Sequence, residues 1–346
     1  QLIDVYDRYK PFQDAKDTRC HTLIFQKSIK RNNFFSVTVV DSKENIIKSF
    51  ELNQENLNDK RWNIYVSPTE NIIFNKMIYS SKYLEELYNL KYGLRTGNNS
   101  KYLTNDIILS EEKIKIARGS NIENYHFKWT PEYLINKIGL PTSYFENSIL
   151  NSTKIIIQYV RTNSTDLKSR WLESTIIEEK NYVPLNSTSF IYLKNDKYDL
   201  KYLLTILSSY LLNYFYKAHY TDVNVKPIYL SKLPIPDINI ESQQPFIRKA
   251  DQMLSLNKEL QKVSQKFQRT LQRKFELEKL PIKLQNWYLL TYGEFIKELG
   301  KKKIKLSLTE EAEWEDYFLK EQQKAIELKN KIDATDKEID QMVYEL

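Results

Sequence analysis

The segment KYGLRTGNNSK, Lys91–Lys101, is the turn-rich stretch around which the rest of the chain can be arranged. Its glycines permit backbone geometry closed to other residues, and its paired asparagines tolerate left-handed turns while offering amide donors and acceptors. Among protein side chains, amides suit adenine, arginine suits guanine, and lysine or arginine suits phosphate. The segment is therefore either an ordinary surface turn, where Gly-Asn clusters are common, or a nucleic-acid-reading loop. The candidate contacts are Arg95, Thr96, Asn98, Asn99 and Lys101.

The composition is that of a globular protein of two or three domains. The chain has 346 residues, of which 41% are hydrophobic and 28% are charged, and this length exceeds what one compact core usually holds. The single cysteine, Cys20, excludes a disulfide framework and a zinc cluster and is typical of a reducing cytoplasm. The sequence contains no apolar run long enough for a membrane span and no signal-peptide pattern, so it predicts a cytoplasmic protein.

The net charge of +7 is concentrated in the middle of the chain. Residues 76–240 contain 21 basic and 16 acidic side chains, an excess of five, whereas the flanking regions are nearly neutral. A polyanion is expected to bind where basic charge accumulates, although the same excess also fits a solvated surface with no partner.

Residues 1–66 are predicted to be the end of an α/β domain. Phe34–Val40 and Trp62–Val66 are rich in β-branched and aromatic residues, as strands are. Because two strands do not fold alone, we expect them to complete a sheet whose other strands precede Gln1. The next segment, Ser67–Glu70, has a serine cap, a proline at the first helical position and a glutamate for a capping box, so it predicts a helix start.

Residues 67–238 are predicted to form a mixed α/β domain. Short strands are expected at Lys113–Ala117, Lys154–Val160 and Ser189–Leu193. Basic residues lie in the connections that follow these strands, and such connections often carry binding residues. This position adds four candidate contacts, Arg118, Arg161, Lys168 and Arg170.

An apolar helix and a pair of prolines close this region. Asp199 is expected to cap one continuous helix, Leu200–Lys217, whose leucines form a broad core face. In Leu233–Pro236, the two prolines force an extended backbone and end the domain.

Residues 239–346 are predicted to be helical. One long helix carries apolar residues at three- and four-residue spacing from Phe246 and ends near Pro281. A second helix begins after Thr309 with acidic residues in its first turns, which the helix dipole favours. The two helices are expected to form an antiparallel hairpin within one chain, and an intermolecular coiled coil is the alternative.

Four segments together resemble a known family. In order along the chain they are GLRTGNN (Gly93–Asn99), IKIARGSNIENY (Ile114–Tyr125), LLTILSS (Leu203–Ser209) and LPIP (Leu233–Pro236). Their order and spacing resemble the TaqI-like specificity domain of adenine-N6 DNA methyltransferases. The chain departs from the family pattern in having Ser-Ser where Asn-Ser is usual, and in lacking the usual Pro and Lys near Ala117 and Arg118.

Both ends of the chain resemble parts of larger enzymes. The last residues, Ile339–Leu346, resemble the ending of type IIG restriction-modification enzymes, in which one polypeptide both cuts and methylates DNA. Near the other end, Pro11–Phe25 resembles the last strands of the methyltransferase domain of the same proteins.

The resemblance implies that this chain recognises double-stranded DNA and does not modify it. The Asn-Pro-Pro-Tyr motif that holds the flipped adenine and the Phe-x-Gly-x-Gly loop that binds S-adenosylmethionine are absent, and no nuclease signature can be placed. We therefore predict no catalytic residue, no metal ligand and no cofactor on this chain, and inactivity without an upstream methyltransferase domain of the same polypeptide. The full-length enzyme would use S-adenosylmethionine, with magnesium if it carries an endonuclease.

The expected fold class is α+β: the edge of an α/β methyltransferase sheet, a mixed α/β recognition domain and a C-terminal antiparallel helical region, in a monomer. Two alternatives remain open. One is a helical scaffold protein whose coiled coil binds other proteins. The other is a separate specificity subunit of a restriction-modification complex, which normally needs two recognition domains where this sequence shows one.

Overall fold

The computed structural model describes residues 2–4, 21–23, 33–40, 46–57, 64–110, 112–160, 170–220, 222 and 224–346. The candidate contacts Arg161 and Lys168, and most of the Pro11–Phe25 segment, lie outside these described residues. The described chain mixes helices with several small sheets, which confirms the α+β class. The edge of a methyltransferase sheet stays a prediction.

The strands are labelled in chain order. They are β1 (Leu2–Asp4), β2 (His21–Leu23), β3 (Phe34–Val40), β4 (Ile46–Asn53), β5 (Ser81–Tyr83), β6 (Tyr88–Tyr92), β7 (Leu103–Thr104), β8 (Lys115–Ala117), β9 (Ile122–Glu123), β10 (His126–Phe127), β11 (Tyr133–Leu134), β12 (Lys154–Gln158), β13 (Ser174–Ile177), β14 (Tyr182–Pro184), β15 (Thr188–Leu193) and β16 (Pro234–Pro236).

The α-helices are labelled in the same way. They are α1 (Pro68–Tyr79), α2 (Leu84–Leu87), α3 (Asn99–Tyr102), α4 (Asn147–Leu150), α5 (Leu200–Ser208), α6 (Tyr210–His219), α7 (Pro227–Leu230), α8 (Ile240–Phe275), α9 (Ile282–Gln285), α10 (Tyr292–Lys301) and α11 (Leu308–Tyr344).

A four-stranded antiparallel sheet with the strand order β13-β12-β15-β6 forms the centre of the recognition region. In its strand β12, Ile155 and Ile157 face a core shared with helix α5, while Ile156 faces a second core on the opposite side. Burial on both faces explains why its middle residues, Ile155–Ile157, are apolar without alternation. The strands predicted at Lys154–Val160 and Ser189–Leu193 are confirmed to within two residues at each end.

A second four-stranded sheet, with the order β14-β8-β11-β7, lies next to the first. Its β14 runs parallel to β8, and the turn from β14 into β15 joins the two sheets. The strand predicted at Lys113–Ala117 begins instead at Lys115, because Lys113 has a left-handed backbone with φ of 50°. The join between the sheets positions the site described below.

The single helix predicted at Leu200–Lys217 is wrong, because the chain breaks it into α5 and α6 at Ser209. Ser209 is extended (ψ 148°), and its hydroxyl accepts a hydrogen bond from the Leu212 N–H at 3.2 Å as the cap of α6. The Asn213 amide donates to the carbonyl oxygens of Leu207 and Ser209, both at 2.8 Å. Such side chains compete with the helical backbone bonds, and here they replace those lost at the break.

The N-terminal region matches its prediction in part. Strand β3 is confirmed, pairing with β4, and α1 begins with the predicted capping box between Ser67 and Glu70. The strand predicted at Trp62–Val66 is wrong in its described part, since Ile64 and Tyr65 form a turn. The Tyr65 carbonyl accepts a hydrogen bond from Lys48 Nζ at 2.7 Å, so a tertiary contact takes the place of a strand partner.

The prolines of Leu233–Pro236 form an extended segment, as expected, and β16 pairs with β5. The largest hydrophobic core includes Val66, Leu204 and Ile332, and so joins all three predicted parts of the chain. Boundaries after residues 66 and 238 therefore stay predictions.

Helices α8 and α11 pack together in antiparallel directions. Lys249 near the start of α8 pairs with Glu338 near the end of α11, and Lys274 near the end of α8 lies 4.0 Å from Glu310 at the start of α11. Helix α8 stops at Phe275, short of the predicted Pro281, because the next residue adopts a left-handed conformation that ends the helix. Helix α11 starts two residues earlier than expected, because its serine cap and Glu310 form a capping box.

No helix in the described ranges is both long enough and apolar enough to cross a membrane. Among the same residues, no group of three or more His, Cys, Asp or Glu side chains is arranged to hold a metal ion.

Candidate nucleic-acid interface

The predicted reading loop is attached to the turn that joins the two sheets. After β6, the Gly93 N–H donates to the Thr188 carbonyl at 2.9 Å and the Leu94 N–H donates to the Pro184 carbonyl at 2.8 Å. A Cβ atom on Gly93 would lie 1.8 Å from the Leu185 carbonyl oxygen, so only glycine allows this approach. The loop that follows β6 is therefore fixed against residues 184–188.

A second glycine lies against the other side of the same turn. The Gly119 N–H donates to the Ser187 hydroxyl at 2.9 Å, and a Cβ at this position would lie 2.5 Å from the Ser187 carbonyl oxygen. That carbonyl also accepts the Tyr159 N–H at 2.9 Å, at the end of β12. The segments after β6, β8 and β12 thus meet at one turn, although the sequence places them far apart.

The loop itself is held by its own polar side chains. The Thr96 hydroxyl donates to Asn99 Oδ1 at 2.6 Å, and Asn98 Oδ1 accepts the Lys101 N–H at 3.2 Å as the cap of α3. The Arg95 side chain is exposed, with its guanidinium carbon 5.2 Å from the centre of the Tyr92 ring. The structure therefore brings together the five candidate contacts of this loop and leaves its two cations at the surface.

Aromatic side chains pack against Tyr92, at the start of the loop. The rings of Tyr92 and Tyr159 meet edge to face with their centres 4.9 Å apart, and the Tyr144 hydroxyl donates to the Tyr92 carbonyl at 2.8 Å. Burial raises the pKa of the Tyr159 phenol, and the nearby Lys226 and Arg95 oppose this shift. The phenol is therefore neutral at physiological pH and can donate a hydrogen bond.

Two other candidate contacts are bound to carboxylates. Arg118 donates from Nε and Nη2 to Glu132 at 2.6 and 2.7 Å, and this pairing raises the pKa of the Arg118 guanidinium. Arg170 donates from Nη1 and Nη2 to the two carboxylate oxygens of Asp336, both at 2.7 Å, and Nη2 also donates to Asp340 at 3.2 Å. Arg118 thus lies beside the turn with its guanidinium bound to a neighbouring carboxylate, while Arg170 faces helix α11.

The residues of the turn itself were not among the contacts predicted from the sequence. The segment LNST, Leu185–Thr188, connects β14 to the first residue of β15. Its polar composition is typical of a turn and was the signal that the sequence offered. Its position beside the loop depends on the pairing of β14 with β8 and of β15 with β6, which local sequence does not show.

Residues 114–235 match the TaqI-like C-terminal specificity domain. This match indicates DNA sequence recognition in a restriction-modification context and covers the turn, Arg118 and the strands β12, β13 and β15 of the central sheet. The loop Gly93–Lys101 precedes the matched range. Residues 239–343 match a domain of unknown function, DUF8810. No curated protein matches the chain.

Replacing Gly93 with alanine is expected to disrupt this interface. The new Cβ would collide with the Leu185 carbonyl, and overpacking of this kind lowers the free energy of unfolding by about 1–3 kcal/mol. Denaturant unfolding measures the change, and DNA affinity should fall with it. The matched control is Gly300→Ala in α10, where a Cβ meets nothing within 4 Å and should stabilise the helix by up to about 1 kcal/mol. Equal effects of the two changes would contradict the role of Gly93.

Proposed function

We propose that this chain is the target-recognition part of an adenine-N6 DNA methyltransferase or a type IIG restriction-modification enzyme. The observation that carries the proposal is the match of residues 114–235 to the TaqI-like specificity domain. Support comes from the loop and turn described above, which present cations, amides and aromatic rings on a backbone fixed by hydrogen bonds. The role of the chain is to position one DNA sequence so that its adenine reaches a methyltransferase active site.

The candidate contacts divide by chemistry. Exposed cations such as Arg95 and Lys101 suit phosphate and fix the position of the duplex, while amide side chains suit base edges and provide specificity. Arg118 and Arg170, each bound to carboxylates, are assigned to holding the domain together. Arg161 and Lys168 remain proposed contacts on sequence grounds.

S-adenosylmethionine is assigned to a methyltransferase domain outside this chain. Cofactor loops bring glycine backbone close to the ligand, but the close approaches at Gly93 and Gly119 are already taken by the carbonyls of Leu185 and Ser187. These two glycines are therefore not proposed as a cofactor loop, and no methyl-transfer step is derived from this chain. Magnesium belongs to the proposal only if an endonuclease accompanies the methyltransferase.

The proposal predicts sequence-selective, salt-dependent duplex binding. Fluorescence anisotropy with duplexes selected from a randomised pool should give a log–log salt slope of about −4 to −5 if roughly five phosphates are neutralised. Lys101→Ala should weaken binding to all sequences alike, since a phosphate contact carries no sequence information. A selection that enriches no sequence, or a slope near zero, would overturn the proposal. In that event the helical scaffold becomes the leading interpretation.

A further inference from the structure

The amides of the predicted loop are already used to build the loop. A side chain that reads adenine through two hydrogen bonds accepts from N6 with its amide oxygen and donates to N7 with its amide nitrogen. Asn98 Oδ1 caps helix α3, and Asn99 Oδ1 accepts the Thr96 hydroxyl. Base contact by either oxygen therefore competes with a bond that holds the loop in shape.

Asn186, on the adjoining turn, has the opposite arrangement. Its backbone is held on both sides: the Asn186 N–H donates to the Leu94 carbonyl at 3.0 Å, and its carbonyl accepts the Tyr92 hydroxyl. The Thr188 N–H donates to the Leu185 carbonyl at 2.9 Å and closes the turn around it. The Asn186 side chain is exposed. Within the described part of the chain, Asn186 makes its hydrogen bonds through its own backbone atoms only.

The neighbours of Asn186 cannot take its place. Leu185 is fully buried, and the Ser187 hydroxyl accepts the Gly119 N–H. Asn186 is therefore the turn residue whose side chain is available to solvent. It lies near Arg95, because Tyr92 contacts both residues: its hydroxyl bonds the Asn186 carbonyl, and its ring lies beside the Arg95 guanidinium. Because the backbone of Asn186 is already fixed, binding needs to order only its side chain, which limits the entropy cost of a specific contact.

We propose that Asn186 is a base-specificity residue, whose amide contacts an adenine edge in the major groove of duplex DNA. This inference rests on the proposed function, since it requires the chain to recognise DNA. It assigns specificity to the turn between the sheets, and leaves Asn98 and Asn99 mainly to hold the loop.

The test is selection from a randomised duplex pool with the full chain, followed by affinity measurements on duplexes changed at single base pairs. Asn186→Ala should lose discrimination at one A·T position by roughly 5- to 150-fold, with an unchanged melting temperature. Asn186→Ser, which keeps a turn-forming side chain without the amide, should show the same loss. The control is Asn195→Ala, an exposed asparagine beyond the other end of β15 whose Oδ1 accepts the Lys197 N–H at 3.0 Å, and this variant should keep the wild-type sequence preference.

Three results separate the possibilities. Loss at one position in both Asn186 variants, with the control unaffected, supports the inference. A wild-type protein that selects a sequence, with Asn186 variants that select the same sequence or weaken all sequences equally, overturns the inference and leaves the proposed function standing. A wild-type protein that selects no sequence overturns the proposed function, and the inference with it.

Discussion

Arg170→Ala is expected to lower the free energy of unfolding by about 3–5 kcal/mol, because it leaves two mostly buried carboxylates without their partner. The Arg170 side chain is 18% exposed, and those of Asp336 and Asp340 are 25% and 30% exposed. Asp340 also accepts the Tyr210 N–H at 2.7 Å, at the start of helix α6. The ion pair thus joins the segment before β13, the helix break and α11. Denaturant unfolding at neutral pH measures the loss.

Lys249→Ala supplies the control for this prediction. Lys249 also pairs with α11, through Glu338, but Glu338 is 56% exposed, and an exposed pair contributes about 0–1 kcal/mol. Comparable losses in the two variants would show that Arg170 acts as an ordinary surface cation.

The Arg170→Ala deficit should also depend on pH. Burial raises the pKa of Asp340 above its usual range even with Arg170 present, and removing the cation raises it further. A carboxyl with a raised folded-state pKa binds its proton more readily in the folded protein, so acid favours folding of the variant relative to neutral pH. The deficit should therefore shrink as the pH falls, and a deficit that grows in acid would contradict the buried-carboxylate explanation.

Lys154→Met is expected to raise the free energy of unfolding by about 3 kcal/mol at pH 7. Lys154 is fully buried in the first position of β12, and within the described residues its ammonium group has no hydrogen-bond partner. It lies on the face of the strand that carries Ile156, in a core that includes Phe190. Burial lowers the pKa of Lys154 to about 8. Each pKa unit below the ordinary lysine value costs about 1.4 kcal/mol of folding stability at a pH where the group is charged.

The direction of the pH dependence follows from proton binding. Between about pH 8 and the ordinary lysine value, the unfolded chain binds more protons at Lys154 than the folded protein, so wild-type stability rises with pH in that window. Methionine has no such titration. The advantage of Lys154→Met should therefore be full below pH 8 and decline above it, as unfolding experiments at pH 7 and pH 10 would show.

Lys115→Met is the matched control for Lys154→Met. Lys115 begins β8 and pairs with the largely exposed Glu179 at 2.9 Å, so its removal should change stability by about 1 kcal/mol or less. A destabilising Lys154→Met would mean that the ammonium group has a favourable partner, and would overturn the prediction.

Local features of the sequence determined several elements of this protein. Strands β12 and β15 were predictable because runs of β-branched and aromatic residues favour extended backbone, and the start of α1 was predictable because Ser67, Pro68 and Glu70 satisfy the free N–H groups of a helix end. The order of the glycine and proline segments was also enough to indicate a DNA-specificity domain. The strand and helix-start signals lie within a few residues of the elements that they specify, whereas the family resemblance depends on the order of segments from Gly93 to Pro236.

Other features were decided only by the tertiary structure, because they depend on groups far apart in sequence. At the break at Ser209, Asn213 Oδ1 accepts the N–H groups of Trp171 and Leu172 at 2.8 and 2.9 Å. The binding of Arg170 to α11 spans more than 160 residues. The free amide of Asn186 and the burial of Lys154 likewise arise from sheet pairing, since a strand pattern shows alternation but not which neighbours cover each face.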